Sequence, residues 1–505
     1  MAKGEIVSAG RLFQIVEKVA WAAFLVALPV TSFPFFPAEL GGTTQVRPLS
    51  IYPLLILIIL VTLPRLIKNP LPLTFLPLFA FIVAAAISSI LSFGLDIEAI
   101  RGVTVFARLA RSLITLLIGM AFYLTVVLYQ RNWQDLKFTL RWLYVGFIIV
   151  LAWGTLQSLY IIYYEEVYFD LLNKIQGFFS TQALYQARIS GFTYEPKWFA
   201  EQITFLLMPW LVASVILRRS LFKWHYRWIT VELLLLIWSA IVLLFTFSRT
   251  GLFVLVLLTF VSVLVSQSFH RSHKPVGPPR RGRRWLRLAQ AGGAALALIV
   301  VLFAVGSRNP YFSRLWRYWS DEKAGNKSYL EYIAFGQRFA YAETAYRIFE
   351  NYPVFGVGLG NYAFFFNEKL PDRPWQNLPE IIRQLTPTER GSQLITPKNL
   401  YARLLAETGL VGTILFTTFV IGVLGGCLYL LLSSGSESRY WGLASLLGII
   451  VFATVVFSSD SFALPNMWIV FGLITAAAHM PTPLEESRSV APTTPLADAN
   501  LAINQ

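Results

Sequence analysis

The sequence predicts an all-α polytopic membrane protein of about twelve transmembrane helices, with one large, partly helical loop on one face. Two observations predict it. Only 14% of the 505 residues are charged and 56% are hydrophobic, with a mean hydropathy of +0.59. A soluble chain carries about 25% charged residues. Apolar runs of about 18 residues or more, each long enough to cross a bilayer core, recur along the chain. They are interrupted at length only once, over 307–408. A transmembrane β-barrel would instead alternate polar and apolar residues in segments of about ten.

The candidate spans run over 19–37, 49–67, 71–93, 110–129, 142–163, 198–217, 228–247, 250–268, 289–306, 409–432, 441–459 and 463–480. No small-residue cleavage site follows the first apolar stretch, which is therefore read as a retained span. Orientation comes from the basic residues. The loops 218–227 (RRSLFKWHYR) and 269–288 (FHRSHKPVGPPRRGRRWLRL) are short and strongly basic, so both belong on the cytoplasmic side. Two spans separate them, which is consistent. Counting outward puts Arg65, Lys68, Arg131, Lys137, Arg141 and both termini on that same side. The outer face then receives 38–48, 94–109, 164–197, 307–408 and the short turn around Phe247–Thr250. The expected organisation is spans one to nine in 1–306, an external loop domain in 307–408, spans ten to twelve in 409–480, and a disordered cytoplasmic tail in 481–505. That tail is rich in Pro, Ser and Ala. No repeat of solenoid or inverted-transporter type is visible.

Composition excludes several functions. The net charge of +15 is split among short loops, which fits cytoplasmic anchoring and not nucleic-acid binding. Cys427 is the single cysteine and lies inside an apolar run, so intrachain disulfides and thiolate metal clusters are excluded. The four histidines, His225, His270, His273 and His479, share no metal-ligand spacing. No metal site and no cofactor is expected.

The long loop has structure of its own. Apolar residues at helical spacing over Tyr332–Tyr352 predict a helix that ends at Asn351-Tyr352-Pro353, because the residue before proline leaves the α region. Leu400–Glu407 predicts a helix leading into the next span. Between them, Gly356-Val357-Gly358-Leu359-Gly360 lacks the Lys-Ser/Thr of a phosphate-binding loop; glycines permitting a tight chain reversal explain it better. The loop is crowded with aromatics, from Tyr311, Trp316 and Tyr318 through Tyr341 and Tyr362 to Trp375. They fit an interfacial belt or a sugar-stacking cleft equally.

Three outer-face arginines carry the chemistry. Arg188 precedes span six, Arg249 stands between two apolar runs with almost no loop, and Arg338 lies on the loop helix. A charge at the depth of Arg249 is costly unless it pairs or faces water. Guanidinium is always charged and binds phosphate bidentately, so a cluster of arginines above a membrane suits a pyrophosphate-linked lipid. The competing explanation is that Arg249 snorkels to lipid headgroups. Glu195, next to Pro196 at the top of span six and close in sequence to Arg188, could serve as a general base. From these residues alone, a helix N-terminal acid stabilised by the dipole explains it better.

Four stretches, RISGFTYEPKWFA, FTFSRTGLFVL, RFAYAETAYRIFENYPVFGVGLGNY and KNLYARLLAETGLVG, occur in this order between 188 and 412. In that order and topology they resemble the O-antigen polymerase/ligase family of bacterial envelope glycosyltransferases. The resemblance implies about a dozen membrane helices with a large periplasmic loop, in the inner membrane. It implies a metal-independent, inverting transfer of a glycan from an undecaprenyl-pyrophosphate carrier to an acceptor hydroxyl. Arg188, Arg249 and Arg338 would then bind the pyrophosphate. The ligase branch has a histidine before an Asn, with Gly-x-x-Gly after nine intervening residues. Here the spacing is kept from Asn399 to Gly409 and Gly412, but the histidine is Lys398. Lysine is protonated near neutral pH and suits phosphate binding better than base catalysis.

The Glu195-Pro196 pair looks more like exopolysaccharide polymerases. The reading is therefore a polymerase, with Glu195, Arg249 and Lys398 as catalytic residues. Its partners would be the lipid-linked oligosaccharide donor, a glycan acceptor, membrane lipids and a chain-length regulator. The first alternative is a ligase acting on lipid A-core or protein. The second is a small-solute transporter of the bicarbonate type, which should show broken spans with ionisable residues deep inside them.

Overall fold

The computed structural model describes residues 2–36, 44–227, 229–269, 282–321, 328–333, 335–371, 378, 380–382 and 394–480. The expected tail at 481–505, Trp375 and most of the basic loop at 270–281 lie outside these residues. The helices are α1 Ala2–Ala27, α2 Ile51–Lys68, α3 Phe75–Leu91, α4 Val105–Tyr129, α5 Trp133–Ile162, α6 Glu166–Gln176 and α7 Pro196–Ile216. A two-stranded hairpin, β1 His225–Tyr226 and β2 Ile229–Thr230, precedes α8 Val231–Phe245, α9 Arg249–Phe269 and α10 Gly282–Gly306. The long loop holds α11 Arg314–Arg317, α12 Tyr329–Tyr332, α13 Gly336–Asn351 and α14 Tyr362–Lys369. Then come α15 Leu400–Leu432, α16 Ser436–Val455 and α17 Asn466–Ala478.

The all-helical polytopic class holds. Among the described residues, nine helices are long and apolar enough to cross a membrane. Three of the twelve expected spans fall on helices outside that nine: α1, and the apolar but short α8 and α17, of 15 and 13 residues.

Burial orders the bundle. The helix α7 is 94% buried along its apolar stretch, whereas the corresponding stretch of α10 is 17% buried. So α7 stands at the centre and α10 on the flank. Around it α15 packs on α3 and α16, α17 on α4, and α1 on α5. Proline explains two irregularities. Pro64 and Pro209 cannot donate to the preceding turn, and each follows a π-helical stretch, Ile58–Thr62 and Ile203–Leu207, that absorbs the lost bond. Polar caps start several spans: Thr104 accepts from Ala107 N at 3.2 Å, Asn132 from Gln134 N at 2.9 Å, and Asn399 from Ala402 N at 3.2 Å.

The loop has its own hydrophobic core, in which Ala340, Tyr341, Ile348, Val357, Tyr362 and Phe366 pack together. The expected helix is there, over Gly336–Asn351, and it ends beside Pro353. The glycine run makes the chain reversal expected of it. Val357 N and Gly358 N donate to Ala406 O and Glu407 O at 3.0 Å each, and Leu410 N returns a bond to Pro353 O at 2.8 Å. This pairing needs two left-handed glycines, Gly356 (φ 67°) on one side and Gly409 (φ 62°) on the other, and Gly409 kinks α15. A Cβ on Gly356 would stand 2.6 Å from Ala406 O.

Gly409→Ala should therefore destabilise the full chain by roughly 2 kcal/mol or more, from left-handed strain plus contact with the Val354 carbonyl. Gly425, in the same helix, has open space where a Cβ would stand, with no atom within 4 Å. Gly425→Ala should not destabilise the chain and should gain up to about 1 kcal/mol of helix propensity. Thermal melting of the detergent-purified variants compares the two; equal melting would show that the reversal does not constrain the fold.

Candidate active site

The site is built where the N-termini of α7 and α9, the C-terminal end of α16 and the loop helix α13 meet. The turn between α8 and α9 is tight. It holds Phe247 in the left-handed region (φ 45°), costly for a bulky residue, and delivers Arg249 and Thr250 to the first turn of α9. Arg249 Nη1 donates to the Ile333 carbonyl of the loop at 2.8 Å, while its Nε is buried without a partner. Thr250 Oγ1 lies 3.0 Å from Ser458 Oγ.

Arg188 reaches the same mouth from the segment before α7. That segment is fixed by Ile189 N donating to Phe245 O at 3.1 Å and by Asn309 Nδ2 donating to Ala187 O at 2.7 Å. The Arg188 guanidinium lies 4.0 Å from the Tyr311 ring centroid and 5.2 Å from that of Tyr185. Arg249 faces the same Tyr311 ring at 5.9 Å. Cation–π contacts hold a charge in place without cancelling it.

The turn Ser458–Asp460 gathers the rest. The Ser458 carbonyl accepts from Lys197 Nζ and from Arg338 Nη1, the latter at 3.4 Å, and Arg338 Nη1 also meets Lys398 O at 3.3 Å. Lys197 pairs with Glu201 at 3.4 Å, one turn along α7. Asp460 accepts from Lys398 N at 2.8 Å through Oδ2, and its carbonyl accepts from Arg403 Nη1 at 2.7 Å. Arg403 in turn donates to the buried Glu407 at 2.8 Å.

Arg188, Arg249 and Arg338 are thus brought to one mouth. Lys398 is there too, in the left-handed region (φ 52°), but its ammonium is ion-paired with Glu380. Glu380 also accepts from Gln337 Nε2 at 2.6 Å and Tyr341 Oη at 2.9 Å. Burial pushes the Glu380 pKa up, but the Lys398 charge and these hydrogen bonds outweigh it and leave it below its ordinary 4.5. Glu195 sits at the N-cap of α7 without a side-chain capping bond. Among the described residues it makes no ion pair with Arg188. Tyr185 lies in the field of both, and burial, then the Glu195 charge, push its hydroxyl up to about 12. The loop aromatics divide accordingly: Tyr341 and Tyr362 fill the loop core, while Tyr311 holds the arginines.

Sequence reasoning misses Lys197, Glu380, Ser458 and Asp460. Lys197 stands inside one of the four family stretches, and its pairing with Glu201 at helical spacing is a signal that could find it. Glu380 and Asp460 carry no local signal, since their partners are 18 and 62 residues away.

This geometry defines a helical membrane protein with an arginine-lined mouth covered by a folded loop. Residues 234–417 match the family model described as O-antigen ligase. The match bears out the resemblance to the O-antigen polymerase/ligase family and supports a glycan-transfer role in O-antigen assembly. It covers less than half of the chain; Arg249, Arg338 and Lys398 fall inside it, and Arg188 and Glu195 before it. Among curated proteins none matches the chain.

The Glu380 anchor has a pH signature. Its folded pKa lies below the unfolded one, so its contribution is full above about 4.5 and is lost as pH falls through the folded value. Hydrogen exchange over Gly336–Asn351 should therefore rise below about pH 4.5 in the parent. In Glu380→Gln it should be raised already at neutral pH and change little on acidification. Identical profiles would mean that Glu380 does not anchor the loop.

Proposed function

We propose that this chain is a polysaccharide polymerase of the bacterial inner membrane. It would transfer a glycan from an undecaprenyl-pyrophosphate carrier to the hydroxyl of another glycan, on the periplasmic face and without a metal. The topology this reading requires is twelve spans, both termini cytoplasmic and the 307–408 loop domain outside. One observation carries the reading. Arg188, Arg249 and Arg338 converge on one mouth, and among the described residues none of them makes an ion pair. Their partners are carbonyls and aromatic rings, which leave the charge available to a diphosphate.

In the reaction the acceptor oxygen bonds to the anomeric carbon from the face opposite the phosphate. The anomeric carbon–phosphate oxygen bond breaks, its electron pair leaves with the lipid pyrophosphate, and the configuration inverts. The arginines stabilise the charge that builds on the leaving group. Glu195, with no ion pair to hold it among the described residues, receives the acceptor proton. Lys398 would bind phosphate only by exchanging Glu380 for it. The loop limits hydrolysis by excluding water.

A ligase is the second reading, favoured by the family description and by the kept spacing Asn399–Gly409–Gly412. Transport is less well supported. The interruption of α7 at Ile203–Leu207 is followed by no ionisable residue up to Ile216; Lys197 and Glu201 lie in its first turns, at the mouth.

Purified enzyme with a synthetic lipid-pyrophosphate donor, assayed separately for binding and transfer, tests the site. Arg249→Lys, which loses the bidentate fork, should lower transfer by about 10²-fold or more at normal expression, with Arg188→Ala and Arg338→Ala behaving alike. Glu195→Gln should abolish transfer and keep donor binding, whereas Lys398→Ala should weaken binding and spare part of the rate. Near-normal product from Arg249→Ala would favour headgroup snorkelling. Parental transfer by Glu195→Gln would move the base elsewhere. Supplying a glycan or a lipid A-core acceptor separates polymerase from ligase.

Sidedness is tested independently. Reporter fusions at Gly325 and Gly282 should lie on opposite faces of the membrane. The same face for both would overturn the topology and the site built on it.

A further inference from the structure

At the end of the bundle opposite the Ser458–Asp460 turn, a cavity of about 920 Å³ opens between α2, α4 and the end of α17. Its wall carries Arg65, Lys68, Arg131 and His479 and no carboxylate. Arg65 is the fixed member: it is buried, donates to Leu128 O at 2.6 Å and Tyr129 O at 3.0 Å, and is ion-paired with Glu17. Arg131 shares Glu17 at 3.4 Å, and its backbone N–H meets Asp135 at 3.1 Å. One buried carboxylate therefore serves two guanidinium groups. Lys68, at the last residue of α2, has no ion pair among the described residues.

Gln130 Oε1 on the same wall is buried without a partner. Apart from Asn69 the remaining lining is apolar, including Phe13, Leu60, Leu71 and Val127, and the rim turn is stiffened by Pro70 and Pro72. The flank beside it is apolar and exposed, with Ile67 86% and Leu73 85% accessible. A cationic head region above an exposed apolar wall matches a lipid with a charged head.

We propose that this cavity binds an anionic glycerophospholipid. Lys68 and Arg131 take the phosphodiester, Gln130 Oε1 accepts from a headgroup hydroxyl, and an acyl chain lies along Leu60, Leu71 and Leu73. The site is separate from the mouth and does not depend on the glycan-transfer reading. A free phosphate shares the anionic chemistry but would leave the apolar wall unused.

The test uses the full chain, delipidated in detergent and titrated with phosphatidylglycerol or phosphatidylcholine under native mass spectrometry. Phosphatidylglycerol should bind preferentially, and the Lys68→Ala/Arg131→Ala double variant should lose roughly fivefold of that preference for each cation removed. Lys68→Arg/Arg131→Lys, which keeps both charges, should retain it. Lys223→Ala/Arg227→Ala, which removes two cations from the hairpin region, should leave it unchanged. An equal loss in that control would mean a diffuse surface field, and overturns the site. Full displacement by millimolar inorganic phosphate, or no headgroup preference in the parent, also overturns it.

Discussion

A cation withdrawn from water must keep hydrogen-bond acceptors around it, and the kind of acceptor decides whether its charge survives. At the mouth of this bundle both kinds are used. Lys197, Lys398 and Arg403 are paired with Glu201, Glu380 and Glu407, so their charges are largely cancelled. Arg249 and Arg338 are held by the carbonyls of Ile333, Lys398 and Ser458, and Arg188 by the faces of Tyr185 and Tyr311. Carbonyls and rings satisfy geometry without neutralising charge. The paired cations build the wall, and the three arginines keep their charge at the mouth.

That division requires the loop to be docked, because partners of both bundle arginines come from it. Ile333 supplies the acceptor for Arg249, and Tyr311 supplies the ring between Arg188 and Arg249. Docking rests on backbone pairing between 353–358 and 406–411, which joins the loop core directly to the kinked start of α15. The same kink follows Lys398 and Arg403 by a short helical stretch, so the loop, the kink and the Ser458–Asp460 turn are held in one register. The fixed spacing from Asn399 to Gly409 and Gly412 has a physical reason here. It sets the number of helical residues between a site residue and the glycine that lets the loop lie down.

What is legible in the sequence follows from this. Charges stand out in apolar surroundings, so Arg188, Arg249 and Arg338 are visible without a fold, and the reversal at Gly356–Gly360 is visible because only glycine tolerates it. The partners that tune the charges are not visible. Glu380 and Asp460 act across sequence separations of 18 and 62 residues, and a carboxylate in a polar loop has no local mark. Hydropathy also marks α8 and α17 as full spans, although their helices are 15 and 13 residues; apolar residues in the adjoining turns extend the runs. Adjacency in sequence does not by itself make an ion pair: six residues lie between Arg188 and Glu195, and Arg188 meets the rings of Tyr185 and Tyr311.

Backbone strain points the same way as charge. Phe247 and Lys398 both occupy the left-handed region, where a side chain costs energy, and both stand beside an unpaired arginine. Phe247 ends the turn that places Arg249 in the first helical turn of α9. The left-handed turn at Lys398 presents its carbonyl to Arg338 while its N–H meets Asp460. Strain of this kind persists only where surrounding contacts over-determine it. Here those contacts are the buried Phe247 side chain and the ion pair of Lys398 with Glu380. If the pair opened to admit an anionic ligand, it would release part of the restraint on the residue that positions Arg338. The Glu380 pair and the Arg338 contact thus meet on one backbone turn.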